Sequence, residues 1–236
     1  MTRRILLLGS SACHPTGFLD HAEPEIRDFF RGTRRVLFFP WALRDRDAYA
    51  AKVRERLGRM GFEVDSAHET PDAVRAVENA EAIFLGGGNT FRLLKTIYEL
   101  DLLVPLRRRV REGMPYVGSS AGSNVACATI RSTNDMPIVE PPSLTALGLV
   151  PFNLNPHYLD PDPTSTHKGE TREERIAQFH EENGEPVVGL REGAILRIEG
   201  GNASLRGIAR ARLFRKGEPP AEFSPGDRLD FLLGQE

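Results

Sequence analysis

The segment Gly118-Ser119-Ser120-Ala121-Gly122 sets a serine between small residues and brackets it with glycines. This is the G-x-S-x-G spacing of a nucleophile elbow, where a strand turns sharply into a helix and exposes a serine hydroxyl. Acyl transfer is the chemistry it points to, although a turn that only packs a helix onto a strand has the same composition. A serine hydroxyl at its free pKa is a weak nucleophile and needs a base held by a third group. His157, in Asn155-Pro156-His157-Tyr158, and Glu192, in Arg191-Glu192-Gly193, each follow a mostly apolar run. Both therefore fall at expected strand ends, where the catalytic residues of open α/β sheets gather. The expected roles are Ser120 as nucleophile, His157 as base and Glu192 as the carboxylate that orients the imidazole. His14, His21, His68 and His180 lack that context and read as surface or packing residues.

An oxyanion needs donors as well. The Ala121 N–H lies at the start of the helix that follows the elbow, and Gly88, in Gly86-Gly87-Gly88-Asn89, can offer a second. A phosphate cradle is the rival reading of that glycine run, but no Lys-Ser or Lys-Thr follows it, which excludes a P-loop. The chain order Ser120, His157, Glu192 also differs from the α/β-hydrolase order, in which the acid precedes the histidine.

The elements that must position these residues follow from periodicity. Short apolar runs at Ile5–Gly9, Val36–Pro40, Phe62–Asp65, Ile83–Leu85 and Tyr116–Gly118 read as buried parallel strands. Helical patterns lie between them, over Asp47–Met60, Thr90–Leu100 and Leu102–Val110, with a later one over Thr171–Glu182. Thr70-Pro71 reads as an N-cap followed by proline at the first helical position. The alternation predicts an α/β, three-layer, doubly wound and mostly parallel sheet. From about Val187 short β runs take over, with hairpin turns at Gly200-Gly201-Asn202 and Lys216-Gly217. They are expected to extend the same sheet as antiparallel hairpins within a single domain spanning residues 1–236. Pro161–Thr166 is the expected mobile loop.

Composition narrows the class. The chain has 236 residues, 40% of them hydrophobic, enough for a sizeable core. A formal net charge of -2 gives no nucleic-acid footprint. The two cysteines, Cys13 and Cys127, suggest neither a disulfide framework nor a zinc site. Basic residues are nearly all arginine, with lysine only at Lys52, Lys95, Lys168 and Lys216. The apolar run Ile5–Leu8 is too short for a secretory signal, and no stretch approaches transmembrane length, so a cytoplasmic protein with no membrane partner is expected.

Several longer stretches resemble one family. Ser119 to Asn124, Thr129 to Val139, Gly86 to Phe91, Asn155-Pro156-His157, His167 to Glu173 and Gly189 to Gly193 are similar to the S51 serine peptidases, the peptidase E family of α-aspartyl dipeptidases. The resemblance runs from the first strand to about Glu192. It implies a flavodoxin-like fold related to the class I glutamine amidotransferases, a Ser-His-Glu triad, and no metal or other cofactor. It also implies a small Asp-X peptide as substrate and, by analogy, a homodimer. Ser119 departs from the pattern, standing where many relatives carry a bulky aromatic. An Asp-X dipeptide brings a carboxylate and an ammonium that both need charged partners. Arg131 and Arg172 are the candidate carboxylate forks, Glu170 or Asp135 the candidate ammonium partners, and Asn89 and Asn134 further hydrogen-bonding groups. A cyanophycinase-like hydrolase acting on β-aspartyl-arginine bonds and a non-catalytic binding module of the same fold are the alternatives.

Overall fold

The central apolar runs become strands because both of their faces are covered, whereas the expected buried strand at Phe62–Asp65 forms at the sheet edge over Glu63–Ser66, where only Ser66 is buried. The computed structural model describes residues 3–166 and 168–234. Its strands are β1 (Arg4–Leu8), β2 (Arg35–Phe39), β3 (Glu63–Ser66), β4 (Ala82–Leu85), β5 (Tyr116–Ser119), β6 (Asn153–Pro156), β7 (Val187–Leu190), β8 (Ala194–Glu199), β9 (Asn202–Gly207), β10 (Ala211–Phe214) and β11 (Ala221–Phe223). The α-helices are α1 (Glu23–Phe29), α2 (Arg46–Arg59), α3 (Ala73–Asn79), α4 (Thr90–Glu99), α5 (Leu103–Arg111), α6 (Ala121–Ala126) and α7 (Arg172–Glu182).

Among the described residues the main sheet runs β3-β2-β4-β5-β1-β8-β9. Its first five strands pair in parallel. Along β1, Ile5 and Leu7 enter one hydrophobic core while Leu6 and Leu8 enter the other. The first core packs α3 to α6 against the sheet, and the second packs α1 and α2. A strand with no solvent face has no position to make polar, which accounts for the unbroken Ile5–Leu8 run. The fold is thus the expected doubly wound α/β architecture. No helix among the described residues is long and apolar enough to cross a membrane.

The chain from Val187 onward departs from expectation. Only the β8–β9 hairpin extends the main sheet, with β8 antiparallel to β1. β7, β10 and β11 instead join β6 in a separate sheet of order β11-β10-β7-β6, in which β6 and β7 are parallel. β7 explains the separation. Val187 packs with Ile176 of α7, whereas Val188 and Leu190 point into the main core. A strand apolar on both faces needs cover on both, and the space between α7 and the main core supplies it. One smaller correction concerns α3. Asp72, not Thr70, caps it by accepting the Arg75 N–H at 2.9 Å. Thr70 closes a turn on the Asp72 backbone instead, so Pro71 lies before the helix.

The two sheets meet at the C-terminal end of β1. Gly9 donates its N–H to Ala194 O at 2.9 Å, and its own carbonyl accepts the His157 N–H at 3.2 Å. A Cβ at Gly9 would lie 2.6 Å from Arg191 O, so only glycine fits beneath the end of β7. We expect Gly9→Ala to push the β7–β8 turn away and to cost about 1–3 kcal/mol, the usual penalty of overpacking. Thermal or urea unfolding measures this, and an unchanged midpoint would show a looser seam.

Candidate active site

Ser120 sits between the end of β5 and the first residue of α6, with φ 50° and ψ -105°. A non-glycine residue holds such a conformation only when its surroundings over-determine it. Those surroundings are visible. The Ser120 N–H donates to Leu8 O at 3.0 Å, and the Ser123 hydroxyl, one turn into α6, reaches the same Leu8 carbonyl at 2.8 Å. Gly122 lets α6 press against the neighbouring strand: a Cβ there would lie 2.1 Å from Leu85 O. The sharp strand-to-helix turn read from the sequence is therefore present, and its serine is half-buried.

His157 follows β6 and also has a positive φ, 52°. Its Nδ1 pairs with Glu192 Oε1 at 2.9 Å. Glu192 lies two residues beyond β7, the parallel neighbour of β6. The two side chains are 45% and 48% exposed. A pair this open is screened and contributes at most about 1 kcal/mol, so orientation of the ring rather than stability is what it can supply. Neighbouring residues brace it. Arg191 bridges Asp160 at 2.6 Å and Glu222 at 2.8 Å and stacks over the Tyr158 ring. These two partners raise its pKa above the ordinary arginine range against the pull of burial. The Tyr158 hydroxyl in turn donates to Glu173 at 3.0 Å.

Ser120 and His157 line one cavity of about 400 Å³, shared with Tyr49, Lys52, Gly87 and Gly88. No hydrogen bond joins Ser120 Oγ to the imidazole among the described residues. The Gly87 N–H donates to the Tyr49 hydroxyl at 2.9 Å. Burial pushes the pKa of that hydroxyl up to about 12, opposed by this hydrogen bond, so it stays neutral. Gly86 spends its N–H on Phe39 O. The Gly88 N–H has no acceptor among the described residues, nor has that of Ala121 at the first turn of α6.

The remaining sequence candidates divide. Asn89 caps α4, accepting the Arg92 N–H at 3.0 Å and donating to Met136 O at 2.8 Å. Asp135 accepts from the Thr90 N–H and hydroxyl, which ties its loop to the start of α4. Glu170 accepts from Gln178 at 2.8 Å and faces Arg175 across 3.5 Å. Arg131 is exposed and has no carboxylate partner among the described residues. Arg172 also has none there; it is half-buried, and burial and then Arg175 lower its pKa. With Glu170 it lines a second cavity, of about 400 Å³, beside Asp160. His167 lies outside the described residues.

Asn134 has a role the sequence did not announce. Its amide donates to Pro156 O, immediately before His157, at 2.8 Å, and it exchanges bonds of 2.9 and 3.3 Å with the Asn155 amide. Asn155 reaches on to Ser132 O at 2.9 Å. This amide ladder straps the 132–135 segment to β6. Tyr49 and Lys52 also line the cavity, and nothing in the sequence marks them beyond the rarity of lysine in this chain. We expect Asn134→Ala to strand the Asn155 amide and lower stability by about 1–3 kcal/mol. Chemical denaturation checks this, and a neutral result would mean that water replaces the ladder without loss.

Comparison with known proteins agrees with this architecture. The family model for peptidase family S51 matches residues 5–206. The chain is 52% identical over 229 residues to peptidase E of Streptomyces coelicolor, covering 97% of this chain and 94% of that protein. It is 51% identical over 234 residues to a Drosophila melanogaster protein named "Probable alpha-aspartyl dipeptidase", covering 98% of each. The crystal structure of a peptidase from an acI-B1 actinobacterium aligns with a TM-score of 0.73 over 97% of each chain at 18% identity, a likeness of fold alone. The chain belongs to peptidase family S51.

Proposed function

We propose that this chain is a serine-type dipeptidase of the cytoplasm that releases the N-terminal aspartate of Asp-X dipeptides, its two sheets working as one domain. The observation that carries the reading is the cavity Ser120 shares with His157, whose other ring nitrogen is bonded to Glu192. The substrate class comes from the dipeptidase name of the Drosophila relative. Relatives named peptidase E, matched over nearly the full chain, favour this reading over the cyanophycinase-like alternative.

In this mechanism Ser120 Oγ attacks the aspartyl carbonyl while His157 Nε2 takes the hydroxyl proton. Glu192 holds the opposite Nδ1–H and stabilises the imidazolium. The free N–H groups of Gly88 and Ala121 receive the developing oxyanion. His157 then protonates the leaving amine, the second residue departs, and a water deprotonated by His157 cleaves the aspartyl ester on Ser120. No metal enters these steps. Asn89 and Asp135 are tied to the start of α4 and Asn134 to Pro156 O and Asn155, so they shape the wall. Glu170, though it meets Gln178 and Arg175, lines the same cavity as Arg172 and is the candidate partner of the ammonium. Arg172 is the better of the two carboxylate forks, because a half-buried guanidinium without a counter-ion gains most from an incoming carboxylate.

Ser120→Ala should lower kcat by about six orders of magnitude without unfolding the protein. Ser119→Ala, whose hydroxyl is buried beside the elbow, should keep substantial activity. Comparable turnover by Ser120→Ala would assign the nucleophile elsewhere. The substrate class is tested by kcat/KM on Asp-Leu, Asn-Leu and Glu-Leu. Asn-Leu should be poorer by about two to three orders of magnitude, because a fork facing a neutral amide keeps its desolvation cost without its ion pair. Arg172→Ala should erase most of that gap, and Arg131→Ala should leave it. Equal cleavage of Asp-Leu and Asn-Leu would overturn the carboxylate fork.

A further inference from the structure

We propose that Lys52 is the receptor for the C-terminal carboxylate of the dipeptide, so that this lysine makes the enzyme select a free second residue. The inference rests on the aspartyl dipeptidase reading above and adds the leaving-group side of the site. Three observations carry it. Lys52 lines the same cavity as Ser120 and His157, and apart from His157 it is the only basic side chain on that wall. It has no carboxylate partner among the described residues. Its ammonium is instead parked over the Phe18 ring, 4.3 Å from the centroid. Among the described residues Lys52 thus stands on the cavity of Ser120 and His157 as a cation partnered by the face of a ring.

The rest of the wall says which carboxylate it meets. Phe18, Leu43 and Ala48 make this side apolar, around Lys52 and the Asp45 carboxylate. Asp45 is already committed as the cap of α2, accepting the Ala48 N–H at 2.9 Å. An apolar surface with a single free cation matches a second residue, which presents a variable side chain and a terminal carboxylate. An aspartyl side chain needs a planar, desolvated fork to be told from asparagine. Lys52 is an exposed point charge on a flexible stem, suited to a terminal group still in contact with water. Lengthening the peptide or neutralising its terminus would leave the cation without its partner.

The test compares Asp-Leu with Asp-Leu amide, in which only the terminal charge is removed. Wild type should favour the free acid by about two- to fivefold in kcat/KM, the range of an exposed ion pair. The difference should appear in KM, because the terminal carboxylate is held alike in ground and transition states. In Lys52→Met the ratio of acid to amide should fall to about one, in Lys52→Glu it should invert, and in Lys52→Arg it should persist. Lys95→Met, on the exposed face of α4 beside Glu99, is the control and should keep the wild-type ratio. The proposal is overturned if wild type shows no preference for the acid, or if Lys52→Met retains it. It is equally overturned if Lys52→Met instead abolishes the preference for Asp-Leu over Asn-Leu, which would place the aspartyl side chain on this lysine. Wild type that cleaves Asp-Leu while the Lys52 variants keep the ratio refutes this inference alone. Wild type that cleaves neither substrate refutes the dipeptidase reading and this inference with it.

Discussion

The backbone at the end of β1 is the fixed point of the whole arrangement. Leu8 O accepts both the Ser120 N–H and the Ser123 hydroxyl. Gly9 O accepts the His157 N–H, and Gly9 N–H reaches Ala194, just past the turn that carries Glu192. Three candidate catalytic residues that lie 37 and 35 positions apart in sequence are thus held by two consecutive peptide units. Backbone hydrogen bonds of a buried strand are short, directional and shielded from water, so they fix relative position better than exposed side chains do. The side chains of His157 and Glu192 are half in solvent and supply little stability of their own.

Strain collects where this seam is tightest. Ser120 and His157 both have positive φ, a conformation that costs each about 1–3 kcal/mol. The two cores that bury Ile5 to Leu8 from both faces absorb that cost. Two glycines then let backbone meet backbone, Gly9 beneath Arg191 and Gly122 against Leu85. The amide ladder of Asn134 and Asn155 adds a second hold on the strand that ends in His157. The candidate residues are thus presented on turns at the end of β1, beside a cavity to which α2 contributes Ala48, Tyr49 and Lys52.

Much of this was legible in the sequence, for definite reasons. Buried parallel strands leave unbroken apolar runs, and the elbow needs glycines around its serine, so both can be read without coordinates. His157 and Glu192 could be located because each follows such a run. What could not be read was which sheet a strand joins. Val187–Leu190 reads as one more strand, and nothing local says that it leaves the main sheet to be covered by α7. Thr70-Pro71 looked like a helix start because the competing cap, Asp72, lies only two residues on. The pocket wall was the least legible part. Tyr49 and Lys52 sit in the middle of an ordinary amphipathic helix pattern, and only the crossover that lays α2 beside the elbow gives them a place in the cavity.

The central claim is that this seam makes one reactive unit of Ser120, His157 and Glu192. Its most direct measurement is the site and rate of labelling by a fluorophosphonate, followed by peptide mass spectrometry on intact and denatured protein. The account predicts a single adduct on Ser120, abolished by denaturation, and slowed by orders of magnitude in His157→Gln and by a smaller factor in Glu192→Gln. An adduct on another residue, or a Ser120 adduct formed at the same rate in His157→Gln, would contradict it.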